Sequence, residues 1–225
     1  LLCLLLLCIL SICSDEKRYK KMKIHIVDYG MGNIFSVQKK LLQENATVSI
    51  SSNYEDIAVA DKIILLGVGH FKKAMDNLEE LNLIEPLNDF ALVQKKPILG
   101  ICLGMQLMSK FSEEGNATGL GWIDASVKKF KTSDSKKFKI PHMGWNTIHL
   151  SKKSSLMKGI DEGEEFYFVH SFYMQPNEHK LVLNETAYID TFCSGIEQEN
   201  IFGVQYHPEK SHDAGRILFR NFISL

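Results

Sequence analysis

Apolar positions fall into two regimes along the chain. In the first half, short apolar blocks recur at Lys23–Asp28, Lys62–Leu66 and Pro97–Ile101, each followed by glycine and then by apolar residues at helical spacing. Uninterrupted blocks of this kind mark strands covered on both faces, and their alternation with helices predicts βαβ units and a parallel sheet. Thr47–Ser51 adds a further strand. Helices are expected after Asn33, with Ile34, Val37, Leu41 and Leu42 on one face, at Asp56–Ala60, and over Met75–Val93 with an interruption near Pro86. After Phe111 the pattern turns to short strand-like pieces: Trp122–Phe130, Thr147–Leu150, Phe166–His170, Lys180–Leu183, Ala187–Asp190, Thr191–Gln198 and Ile201–Tyr206. They predict a more antiparallel second half joined to the same sheet. Asp213–Phe222 closes as an amphipathic helix with Ala214, Ile217, Leu218 and Phe222 inward. The fold class is therefore α/β, with a mainly parallel central sheet and antiparallel additions in the C-terminal half.

The glycines sit where strands end, at Gly30/Gly32, Gly67/Gly69 and Gly100/Gly104. Ligand sites of open α/β sheets lie beyond the carboxyl ends of the strands, so three such turns point to one site. Neither Gly30-Met31-Gly32 nor Gly67-Val68-Gly69 completes a dinucleotide fingerprint, because Phe35 and Lys72 stand at the third glycine place. Gly100-Ile101-Cys102-Leu103-Gly104 reads as a strand, a tight turn and a helix start, with Leu103, Met105, Leu107 and Met108 carrying the helical pattern. This resembles a nucleophile elbow with Cys in place of Ser. A thiol at a helix N-terminus lies at the positive end of the helix dipole, which favours thiolate. A lone Cys in an apolar run is more often core. The two flanking glycines weigh against that reading here.

Composition narrows the class. The 225 residues are 45% hydrophobic and 24% charged with a net charge of −1, which gives no reason to expect nucleic-acid binding. The pairs Lys128-Lys129, Lys136-Lys137 and Lys152-Lys153 are placed on solvated loops. Residues 1–14 are leucine-rich and out of character, and the first Met is Met22. We read residues 1–21 as an N-terminal extension outside the domain, consistent with a misassigned start, and residues 22–225 as one domain. A membrane anchor or targeting segment at 1–21 is the alternative; no membrane is expected for 22–225. Of the five Cys, Cys3, Cys8 and Cys13 lie in that segment, leaving Cys102 and Cys193 with no paired framework. That fits a reducing, cytoplasmic setting. Cys193 is expected to be a packed strand Cys and His25 a satisfied histidine.

Gln205-Tyr206-His207-Pro208-Glu209 ends a strand. In an extended chain, positions two apart share a side, so His207 and Glu209 form a base-and-orienter pair. Alone the tripeptide is a weak signal, since surface strands often end in charges. With a Cys elbow upstream it completes a Cys–His–Glu set.

These residues carry a resemblance. Gly100-Ile101-Cys102-Leu103-Gly104-Met105-Gln106 with His207-Pro208-Glu209 resembles the class I glutamine amidotransferases, and more closely the glutaminase subunits of imidazole glycerol phosphate synthases. Asp28–Asn33, Gly67–Gly69, Pro141–Asn146, Tyr167–Ser171 and His207–Ser211 all match, so the likeness spans residues 22–225. It implies a flavodoxin-like core and hydrolysis of L-glutamine through Cys102, His207 and Glu209, with neither metal nor cofactor. His142 and His170 are read as orientation or core residues. Leu103 N–H and the Gly67-Val68-Gly69 turn, through Val68, would supply the oxyanion donors. Gln106, Ser171 and Phe172 would hold the glutamine head group. The ammonia would pass to a HisF-like (β/α)8-barrel cyclase in a heterodimer, yielding imidazole glycerol phosphate and an aminoimidazole carboxamide ribonucleotide for histidine biosynthesis. Pro141–Asn146, with Met143 and Trp145, would be the docking element. The chain departs from the pattern at Leu66, where Pro is usual, at His70, where a small residue is usual, and at Phe35, where Arg is common. The last departure leaves an alternative, a related glutaminase supplying ammonia for sugar amidation in surface-polysaccharide biosynthesis.

Overall fold

The computed structural model describes residues 22–225. The readings of residues 1–21, including Cys3, Cys8 and Cys13, lie outside the described residues. Among the described residues no helix is long and apolar enough to cross a membrane.

The first half alternates as its pattern dictates: β1 (Lys23–Val27), α1 (Ile34–Gln43), β2 (Thr47–Ser51), α2 (Tyr54–Ala58), β3 (Lys62–Gly67), α3 (Phe71–Glu80), α4 (Ile84–Asn88, running into a π turn at Asp89–Val93), β4 (Ile98–Cys102) and α5 (Leu103–Leu107). The second half runs β5 (Ser109–Ser112), β6 (Ala117–Thr118), β7 (Ile123–Lys129), β8 (His142–Thr147), β9 (His149–Leu150), β10 (Glu165–His170), β11 (Phe172–Pro176), β12 (Val182–Ala187), β13 (Thr191–Gln198), β14 (Ile201–Val204) and α6 (His212–Ser224). Twelve strands among the described residues form one sheet, ordered β2-β1-β3-β4-β14-β13-β11-β7-β5-β6, with β12 beside β13 and β9 beside β12. The β2-β1-β3-β4-β14 portion is parallel, and the β13, β12 and β11 pairings are antiparallel.

The parallel strands read as continuous apolar runs because both faces are covered. Ile63 and Leu65 of β3 face one apolar layer with Phe71, Leu78, Phe90 and Met105. Ile64 and Leu66 face the other, with Val37, Leu99, Ile101, Phe219 and Phe222. Period-two geometry therefore splits each run between two cores. Lys62, at the start of β3, is only 2% exposed. Its ammonium donates to Phe222 O at 2.8 Å and Ile223 O at 2.9 Å, satisfying carbonyls in the last turn of α6.

Several expectations need correction. Leu42 is 52% exposed, because Ile34, Val37 and Leu41 alone fill the narrow buried stripe of α1. The helix expected over Met75–Val93 starts earlier, at Phe71, and breaks after Glu80, before Pro86 is reached. Lys128 and Lys129 end β7 and do not lie in a loop. Ala187–Asp190 is not a strand; β12 ends at Ala187 and a bend follows. β8 and β10 form a separate two-stranded sheet and do not join the large one. Ser109–Ser112 and Phe172–Pro176 are strands that the alternation did not reveal. His25 is half satisfied: Nδ1 meets Ser49 Oγ at 3.0 Å, while Nε2 is buried without a hydrogen-bond partner among the described residues. Cys193 is a buried strand residue, its thiol donating to Gly195 O at 3.2 Å.

Candidate active site

Parallel pairing brings the critical strand ends together. Gly67 of β3 lies opposite Cys102 of β4, and Ile101 lies opposite Val204 of β14. The turn after β3, the elbow after β4 and the segment after β14 therefore open at one edge. Cys102 is held at φ 54°, ψ −110°, a conformation foreign to most L-residues that costs on the order of 1–3 kcal/mol. It is available because Gly104 lets α5 start against β3: a Cβ there would lie 1.8 Å from Leu65 O. The helix that follows is shorter than its apolar pattern suggested, since Met108 already caps it.

His207 and Glu209 meet, by a route different from the expected one. His207 is extended, but Pro208–Lys210 is a 3-10 turn that folds Glu209 back. Glu209 Oε1 accepts from His207 Nδ1 at 2.7 Å, with each side chain 3% exposed. Burial pushes the His207 imidazolium down, but the neighbouring Cys102 thiol group and the Glu209 carboxylate outweigh it and lift the pKa to about 9. His207 Nε2 is buried with no hydrogen-bond partner among the described residues, leaving it free for a proton on the sulfur or on a ligand. Tyr167 O accepts from His207 N at 2.9 Å, and Ser211 Oγ links Tyr167 N to His207 O at 3.0 and 2.7 Å. The sequence offers no separate signal for Ser211, whose hydroxyl clamps this segment. Gly215 lets α6 press on it, because a Cβ there would lie 1.8 Å from Pro208 O.

A cavity of about 290 Å³ opens beside the thiol, lined by Val68, Gly69, Cys102, Leu103, Gln106, Glu114, Pro141 and the Val169–Phe172 segment. Every other residue proposed from sequence for oxyanion or substrate contact lines it except Gly67, which is buried at the end of β3. Gln106 is occupied differently from expectation: its Nε2 donates to Phe172 O at 2.9 Å and to Gln205 Oε1 at 2.9 Å, so it braces the wall. Gln205 Nε2 in turn reaches Cys102 Sγ at 3.6 Å. Gln205 and Glu114 were missed. Glu114 sits in a loop far from any motif, and its Oε2 accepts from Phe71 N at 2.8 Å. His142 and His170 are buried and share a hydrogen bond of 3.0 Å. A larger cavity, lined by Leu150, Met157 and the lysines and serines between them, contains none of these groups.

A sequence model of the family described as glutamine amidotransferase class-I matches residues 25–225. The chain belongs to the class I glutamine amidotransferases. Similar members include imidazole glycerol phosphate synthase subunit HisH 2 of Methanococcus maripaludis, 48% identical over 200 residues, which are 89% of this chain and 98% of that protein. Subunit HisH 1 of Campylobacter jejuni is 46% identical over 203 residues, 90% of this chain and 100% of that protein. A solved glutamine amidotransferase superposes with a TM-score of 0.69 at 13% identity, covering 90% of this chain and 99% of that one, a likeness of fold alone. In this amidotransferase the cysteine elbow lines the cavity, the His–Glu pair neighbours Cys102 without lining it, and the second-half strands β10 and β11 supply the far wall.

Proposed function

We infer that this chain is the glutaminase subunit of an imidazole glycerol phosphate synthase, releasing ammonia from L-glutamine for histidine biosynthesis in the cytoplasm. The single observation that carries the chemistry is that Cys102, which lines a cavity of small-molecule size, neighbours the buried His207–Glu209 pair. The Cys102 thiolate attacks the carboxamide carbon, and the oxyanion is met by Leu103 N–H and a donor from the Val68 turn. The C–N bond breaks as the His207 imidazolium protonates the leaving nitrogen, giving ammonia and a γ-glutamyl thioester. Water then loses a proton to His207 and attacks the acyl carbon. The C–S bond breaks, and glutamate leaves with the thiolate–imidazolium pair restored. Each oxyanion donor is worth about 3–4 kcal/mol in the transition state. Glu114 is the cavity's carboxylate, and we assign it to the α-ammonium of glutamine.

The partner is a (β/α)8-barrel cyclase of the HisF kind. Its docking element is β8, where Met143 and Trp145 are 62% and 44% exposed on alternate positions while His142 points inward. Apolar residues so exposed, with a Trp among them, are anchors looking for a surface. The sugar-amidation alternative gains no support from relatives whose names all specify imidazole glycerol phosphate synthase. The test is glutamine hydrolysis by the purified chain, alone and with a histidine-pathway cyclase barrel and its nucleotide ligand, with Cys102→Ala as control. Stimulation that vanishes in the variant is expected. Binding without stimulation would point to another acceptor pathway.

A further inference from the structure

A line of side-chain hydrogen bonds runs behind the cavity wall, and the chemistry above does not use it. Asn146 Nδ2 lies 3.2 Å from His142 Nε2. His142 Nδ1 lies 3.0 Å from His170 Nε2, and His170 Nδ1 lies 2.8 Å from Phe172 O. A carbonyl only accepts, so His170 Nδ1 carries the proton and its Nε2 accepts. His142 Nδ1 must then donate, and its Nε2 accepts from the Asn146 amide. The line continues: Phe172 O also accepts from Gln106, Gln106 donates to Gln205, and Gln205 reaches the Cys102 sulfur. The sense of each bond is fixed, with the two arms converging on Phe172 O, which accepts from both His170 and Gln106. Burial holds His142 near 4 and His170 near 3, so both rings are neutral at ordinary pH. A proton on either ring would set two N–H groups face to face.

The other end of the line is at the surface. Asn146 follows Trp145 on β8, and its amide also donates to Ala187 O at 3.0 Å. His142 and His170 are themselves paired across β8 and β10. The two imidazoles pack among Phe130, Phe168, Tyr188 and Phe192. An aromatic pair would fill that space without desolvating ring nitrogens.

We propose that Asn146, His142 and His170 are a positioning relay that fixes the Phe172 carbonyl and, through Gln106 and Gln205, the Cys102 thiol, so that the placement of the Met143–Trp145 strand is felt at the nucleophile. The relay rests on the reading of Cys102 as nucleophile and of β8 as the docking face. None of the three touches the reacting atoms. They act by setting the geometry of groups that do.

The test uses the full chain and three readouts: alkylation of Cys102 by iodoacetamide followed by peptide mass, kcat and KM for glutamine, and the thermal unfolding midpoint. His142→Phe keeps the ring stack on Phe168 and Tyr188 but removes both nitrogens. It should change the alkylation rate and kcat by about three- to tenfold, the scale of one neutral hydrogen bond, with a smaller effect on KM. His142→Asn, which keeps a donor at the Nδ1 place, should recover most of this. Asn146→Ala should shift both rates in the same direction, and combining it with His142→Phe should add nothing further. If His142→Phe lowers the unfolding midpoint while both rates stay within about twofold, the pair is only structural and the relay is overturned. Additive effects of Asn146→Ala and His142→Phe would also overturn it. If His142→Phe does not fold, Asn146→Ala and His142→Asn carry the decision. Nitrogen NMR of the unaltered chain supplies an independent check: a proton on Nε2 of His170 contradicts the scheme. Should alkylation respond as expected in a chain that does not hydrolyse glutamine, the glutaminase reading fails and the relay stands.

Discussion

Glu209→Gln removes one charge from a buried pair while keeping its size. The carboxylate lies 2.7 Å from His207 Nδ1, and both side chains are 3% exposed. Burial alone pushes His207 down; Cys102 and Glu209 together lift it to about 9. A hydrogen bond to a charged group is worth about 1.5–3 kcal/mol, against about 1 for a neutral one. The imidazolium therefore loses about 1–2 kcal/mol in the variant, and kcat should fall about 5- to 30-fold from this alone. If the new amide turns its NH₂ toward Nδ1 and forces the wrong tautomer, the loss is larger, as in the Asp-to-Asn change of a serine-protease triad, about 10⁴-fold. The same pair affects stability. A His raised from 6.5 to about 9 gives stabilisation that is fully present below pH 6.5 and lost as pH rises through 9. The size is on the order of 3 kcal/mol. Burial holds Lys62 down at about 8, which gives the opposite slope above that pH, so the informative quantity is wild type minus variant. Urea unfolding at closely spaced pH values from 6 to about 10 measures it. The difference should shrink across pH 6.5 to 9. A difference flat across that window, together with kcat unchanged within about twofold, would mean that the Glu209 carboxylate does not hold the His207 imidazolium.

Three further outcomes are expected. Lys62→Met leaves two carbonyls of the last α6 turn without their buried donor, so it should destabilise by about 2 kcal/mol and lower Tm by about 4–8 °C in calorimetry, with glutamine turnover kept. Gly215→Ala puts a Cβ within 1.8 Å of Pro208 O and must push α6 off the His207–Glu209 segment; turnover should fall more than tenfold, or about 3 kcal/mol of stability should be lost, and a fully active, equally stable variant would contradict the packing account. Trp145→Ala should weaken binding of the barrel cyclase by about 2 kcal/mol, read by calorimetric titration, without altering basal hydrolysis.

The parallel half of the fold was legible because burial on both faces writes itself into β1, β3 and β4 as unbroken apolar runs. Local chemistry also marks the elbow: Gly100 and Gly104 are needed where α5 crosses β3 and β4. What the sequence hid depends on long-range pairing. Phe172–Pro176 mixes aromatic, polar and Pro residues, and becomes a strand only because β7 and β13 flank it. β8 and β10 alternate like any strand pair, so nothing local says that they leave the main sheet. Glu114 joins the cavity, and Gln205 reaches the Cys102 sulfur, through long-range contacts that local pattern does not announce. His207 and Glu209 do meet, but the extended-chain argument that pairs them is not the reason, since a turn starts at Pro208.

Glutamine hydrolysis by this chain stands on Cys102 as the nucleophile for the carboxamide. The most direct test exposes the chain to an electrophilic glutamine analogue and maps the modified peptide. One adduct on Cys102 is expected, suppressed by excess glutamine and absent in Cys102→Ala, with Cys193 unmodified because it does not line the cavity and its thiol, its pKa raised by burial, donates to Gly195 O. An unlabelled Cys102 in a chain that still hydrolyses glutamine would contradict the account.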